Sequence, residues 1–125
     1  MSKQLMEVVL PRLARRLQGQ LQRYRAGQLD DSQFTRSFET LLQRQYAWLA
    51  KRGVAEPNAA LAIHSAVLVL SRPGLVAEAA EQNIPLEVIE TRAVRTAAAD
   101  ISQNYGLSER KAFNIISRII SRYAD

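Results

Sequence analysis

The stretch NAALAIHSAVLVL, residues 58–70, is apolar on nearly every side when wound as a helix. Ala60, Leu61, Ile63, Ala66, Val67, Leu68, Val69 and Leu70 leave almost no face for solvent. A helix of this kind must have neighbours all round it, so it is expected at the centre of a helical bundle. Pro57 suits its first turn, and RPG at 72–74 is expected to end it. It carries His64, stops at Arg72 and is too short to span a bilayer, so no membrane role is expected.

The remaining segments read as helices able to surround it. Strand-like alternation is missing, and β-branched residues never cluster between turns. Leu10, Leu13, Leu17, Leu21 and Tyr24 form one stripe of a helix over 3–26, which Pro11 either kinks or divides. Asp30 or Asp31 caps a second helix over 32–52, whose buried side includes Phe34, Phe38, Leu41, Leu42, Tyr46 and Leu49. A short helix covers 75–82 and a long one 86–105, with Leu86, Ile89, Ala93, Val94, Ala97, Ile101 and Tyr105 on one face. After Gly106, Ser108 caps a final helix banded by Ala112, Ile115, Ile116, Ile119, Ile120 and Tyr123. That band is wide enough to pack inside the fold and also against a second copy. The expected fold is one all-α domain over 1–125, a compact bundle of five to six helices. Residues 1–83 form its body, and 86–123 a helix–glycine–helix unit.

The net charge of +5 is unevenly placed. Residues 1–29 hold six bases and one acid, residues 30–105 seven bases and nine acids, and residues 106–125 four bases and two acids. Basic excess at both ends suits an anionic partner. The absence of cysteine excludes disulfides and thiolate metal sites and fits a reducing cytoplasm. The first residues lack the apolar core of a signal peptide.

Few residues suggest catalysis. His64 is the only histidine, without an acid beside it in sequence, and reads as a hydrogen-bonded core or boundary residue. Glu87 and Glu90 read as ion-paired with Arg92 and Arg95 on a solvated face. There is no phosphate loop, HExxH or GxSxG. No enzyme activity, metal or cofactor is expected.

The strongest pattern lies at 98–117. From Ala98 as position one, Ile101 falls at four, Ser102 at five, Tyr105 at eight, Gly106 at nine, Leu107 at ten, Ala112 at fifteen and Ile115 at eighteen. Small residues there allow close helix contact, glycine supplies a left-handed turn, and apolar residues lock the corner. In these offsets residues 98–117 resemble the helix-turn-helix superfamily, which implies a DNA-binding function. The helix over 75–82, or a partner copy, is then expected to support the corner. A second corner, residues 79–94 with Asn83 in its turn, places Glu78 and Gln82 where apolar residues are needed, and reads as an ordinary bend.

The last helix offers suitable chemistry away from its isoleucines. Arg110, Lys111, Asn114, Ser117, Arg118 and Arg122 can donate to base edges or phosphates, and Ser108 to phosphate. Arg12, Arg15, Arg16 and Arg23 of the first helix suit phosphate or partner contacts. Trp48 and Phe113 fall off their apolar stripes. The expectation is a small transcription regulator that binds duplex DNA as a homodimer. The alternative is a helical adaptor or assembly protein that binds another protein or oligomerises.

Overall fold

The computed structural model describes residues 3–123. Six helices and no strand occur among them: α1 (Lys3–Arg25), α2 (Asp31–Lys51), α3 (Glu56–Leu70), α4 (Arg72–Gln82), α5 (Leu86–Tyr105) and α6 (Glu109–Tyr123). Local chemistry sets most boundaries. Asp30 accepts from the backbone N–H of Gln33 at 2.7 Å, and the Gln33 side chain accepts from the Asp30 N–H at 2.9 Å, closing a capping box. Gly106 ends α5 in the left-handed region at φ 69°, and Asn83 ends α4 likewise at φ 55°.

Of the two alternatives for Pro11, division of the helix is excluded: α1 runs through it as one element. The expectation at the second proline is corrected. The RPG sequence opens α4 as well as ending α3, so α4 starts at Arg72 rather than 75. Pro73 occupies its first turn, where a missing N–H leaves no helical bond unmade.

α3 is the axis. It packs against each of the other five helices. Its alanines make this possible: Ala59, Ala60, Ala62 and Ala66 are buried and let neighbouring backbones come close. The α1–α2 hairpin and the α5–α6 pair both pack on α3, with no close backbone contact between the two pairs. Met6, Val9 and Leu13 of α1, Leu41 and Leu49 of α2, Ile63 of α3 and Ile119 of α6 share one core cluster. Leu61 joins Val94, Ala98 and Ile101 of α5 and Ala112 and Ile116 of α6 in a second. No single helix among the described residues is long and apolar enough to cross a membrane; α3 and α4 form a pair bent by 55°.

Polar ties reach α5 from α3, α2 and α4. His64 Nε2 lies 3.3 Å from Asp100, whose carboxylate also accepts from Asn104 at 2.9 Å. Beside them, the Tyr46 hydroxyl is bonded to Tyr105, and burial first, then that bond, raises its pKa well above the usual phenol range. Glu90 pairs with Arg72, 2.9 Å away on α4, where the sequence suggested Arg92 and Arg95. The contact is close in distance, yet Glu90 Oε1 has no hydrogen-bond partner, so the attraction is chiefly Coulombic.

Candidate functional site

The corner at Gly106 packs through the residues that the offsets single out. Ala98, Ile101 and Ala112 are fully buried, and Tyr105, Leu107 and Ile115 pack on the same cluster. Ser102 is only half-buried, so its hydroxyl is not forced into the tight contact. Ser108 Oγ accepts from the Lys111 N–H at 3.3 Å, a long cap at the start of α6. The support beneath the corner differs from expectation. α4 packs on α3 and α5 without reaching the backbone of α6, which rests on α3 and α5. The reason is chain geometry: α3 is apolar on every side and already lies under both helices.

The isoleucine band packs into the fold. Ile116 and Ile119 are buried, and Ile115 and Ile120 are half-buried against the core clusters. The opposite side of α6 is open. Ser108, Arg110, Lys111, Asn114, Arg118 and Arg122 are exposed, and Ser117 is half-buried. Arg110, Asn114, Arg118 and Arg122 recur every fourth residue, so they follow one another about 6 Å apart along the helix. An open groove of about 510 Å³ is lined by Ser108, Arg110, Lys111, Asn114, Ile115 and Arg118. Beside it Arg95, Glu109, Arg110 and Phe113 border a second concavity. Glu109 is the only acid of α6. The surface therefore offers guanidinium, ammonium, amide and hydroxyl donors with little opposing charge.

The first-helix arginines are placed elsewhere. Arg12, Arg15, Arg16 and Arg23 belong to α1, which has no close backbone contact with α6. Arg12 is already engaged: its Nε donates to Gln45 Oε1 at 2.8 Å, and its guanidinium lies 4.1 Å from the Trp48 ring centroid. Arg52 lies over the same ring at 4.1 Å. Arg44, Trp48 and Arg52 were not among the residues expected from sequence. Their spacing, every fourth residue along α2, was visible, but it gains meaning only once α1 lies alongside.

His64 forms a dyad with Asp100, and its side chain keeps 27% of its exposure. Burial lowers its pKa, and Asp100 acts in the opposite direction. Among the described residues no group of three His, Asp or Glu side chains is placed to hold a metal ion. Protein-family models, curated proteins and solved structures give no match to this chain.

Proposed function

We propose that the protein binds duplex DNA in a sequence-dependent way and serves as a small transcription regulator, with α6 in the major groove. The observation that carries this reading is the exposed row Arg110, Asn114, Arg118 and Arg122 on a helix that follows a left-handed glycine corner. An α-helix fits the major groove, arginine can bridge guanine O6 and N7, and asparagine can pair with adenine. Lys111 and Ser108 flank the row, where phosphates would lie. Ala112, Ile116 and Ile119 fix the helix to the core, so the row is presented by a rigid element. In a homodimer, two copies of α6 would meet successive turns of the groove about 34 Å apart.

Anisotropy titrations of labelled duplexes over a salt series test this. Affinity is expected to fall steeply as salt rises, because each neutralised phosphate releases counterions. Asn114→Ala and Arg110→Ala are each expected to cost about 1–3 kcal/mol on the preferred sequence and to flatten the preference among sequences. Lys111→Ala should weaken all sequences alike and reduce the salt slope by about one. Binding indifferent to both salt and Asn114 would reject the reading. Sedimentation of the protein with a palindromic duplex measures whether two copies bind.

A further inference from the structure

We infer that the seam between α1 and α2 is a separate binding site for phosphate groups, with Arg12, Arg16, Arg44 and Arg52 as the ligating side chains. The sequence builds it from two matching rows. Arg12, Arg16 and Gln20 are spaced by four on α1; Thr40, Arg44, Trp48 and Arg52 are spaced by four along α2 and past its last residue. The helices run antiparallel, so the rows meet in pairs: Arg12 reaches Gln45 and Trp48, and Gln20 Nε2 donates to the Ser37 carbonyl at 3.1 Å. Between these contacts Arg16 and Arg44 border an open cleft of about 420 Å³ with Gln20, Ser37, Thr40 and Leu41.

Three features distinguish this seam from an ordinary basic surface. The first is crowding without compensation. The guanidinium carbons of Arg12 and Arg52 both lie 4.1 Å from one ring centroid, so they are at most twice that distance apart. The two ion pairs among the described residues, His64–Asp100 and Arg72–Glu90, both lie elsewhere. Burial and then Arg16, Arg52 and Arg15 push the Arg12 guanidinium below its ordinary pKa. The second is prior ordering. Trp48 and Gln45 fix Arg12, so less rotamer entropy remains to be lost when an anion arrives. The third is an unused donor. Gln45 is 2% exposed, its Oε1 is taken by Arg12, and its Nε2 has no acceptor.

The ligand chemistry follows from the spacing. Arg44 and Arg52 are two helical turns apart, about 12 Å along the axis. Four planar forks over that length suit several oxyanions in a row, each able to take two parallel N–H bonds. A chain of phosphates meets this requirement, whether in a free oligophosphate or in a nucleic-acid backbone. The site does not depend on the reading of α6, because it is built from side chains of α1 and α2, which make no close backbone contact with α6.

Trp48 is the only tryptophan, so its fluorescence reports on the seam. Tripolyphosphate, citrate as a polyanionic carboxylate, and a short unlabelled duplex are titrated in low salt. Tripolyphosphate is expected to change the emission saturably, and Arg16→Gln/Arg44→Gln to weaken it roughly tenfold or more. Both positions are exposed, so circular dichroism should show the fold retained. Arg110→Ala should leave the response unchanged. If the duplex produces the same change and competes, the ligand is a nucleic-acid backbone; if only tripolyphosphate acts, it is a free oligophosphate. No change with either, equal binding of citrate, or a double variant that binds like the parent would overturn the site. Duplex binding that is lost in Arg110→Ala, with Trp48 unmoved by duplex and by tripolyphosphate alike, would uphold α6 and reject the seam.

Discussion

The two basic surfaces lie on helices without close backbone contact with one another, and they are made in opposite ways. On α6 a rigid helix presents long side chains that point freely into solvent. On the α1–α2 seam two of the four arginines are themselves held, Arg12 by Trp48 and Gln45 and Arg52 by Trp48, while Arg16 and Arg44 border the open cleft. Sequence-reading surfaces need adaptable donors on a fixed backbone, whereas an oxyanion site gains from donors fixed in advance. Charge alone does not separate the two kinds of surface; what holds each arginine does.

The largest expected effect tests the fixed backbone of α6. Ile116 is fully buried between α5, α6 and α3, so Ile116→Ala should cost about 3–4 kcal/mol in chemical denaturation. Trp48 is only half-buried, and its removal forfeits two cation–π contacts and part of its apolar area. Trp48→Ala should therefore cost less, about 2 kcal/mol. Equal losses would mean that the seam belongs to the core and is no site at all.

How far each surface could be read from sequence follows the same division. The corner is local: its glycine, its small residues and its isoleucines lie within twenty positions, and their offsets state the packing directly. The central place of α3 was equally plain, because a helix without a polar face has one kind of home. The seam is not local. Arg12 meets Gln45 thirty-three residues away, and only the antiparallel register of α1 and α2 brings them together. His64 and Asp100, or Arg72 and Glu90, are likewise pairs that no spacing rule joins. The off-stripe position of Trp48, one turn from both Arg44 and Arg52, was the available signal.

Two glycines sharpen the contrast at about 1 kcal/mol. Gly106 sits at φ 69° with open space around it, so Gly106→Ala meets conformational strain and no collision. It should destabilise by about 1–2 kcal/mol and loosen the α6 corner. Gly19 is in the interior of α1 with nothing near its missing Cβ. Gly19→Ala should stabilise by roughly 0.5–1 kcal/mol. Thermal melts of both variants check the opposite signs; a loss in Gly19→Ala would mean that α1 is not a regular helix there.

Two buried polar residues provide a smaller test. Ser65 is fully buried on α3 and its hydroxyl has no partner. Ser65→Ala should raise stability by about 1 kcal/mol and leave both surfaces as they are. Gln45 also has an unpartnered atom, but its carbonyl oxygen holds Arg12. Gln45→Leu should weaken the Trp48 response to tripolyphosphate, even where stability hardly changes. If Ser65→Ala weakens that response as much, the ordering of Arg12 is not what makes the seam.

The smallest effect concerns pH, and it falls on the α5 side of the molecule. Burial lowers the His64 pKa below its ordinary 6.5, and Asp100 limits the drop. The folded protein therefore prefers neutral imidazole, while the unfolded chain takes up a proton near pH 6.5. The contribution of His64 to stability is complete above that pH and is lost as pH falls below it toward the folded value. Asp100→Asn removes the opposing attraction, so the folded pKa should fall further and the acid-side loss should extend to lower pH. Because the chain has one histidine, a single imidazole proton resonance follows the titration without assignment. A midpoint at or above 6.5 would show that the ion pair outweighs burial and would reverse the sign. The seam offers a control in the same titration, since arginine stays cationic across this range. Tripolyphosphate binding should therefore hold its dependence on Arg16 and Arg44 through the pH window in which His64 gains its proton.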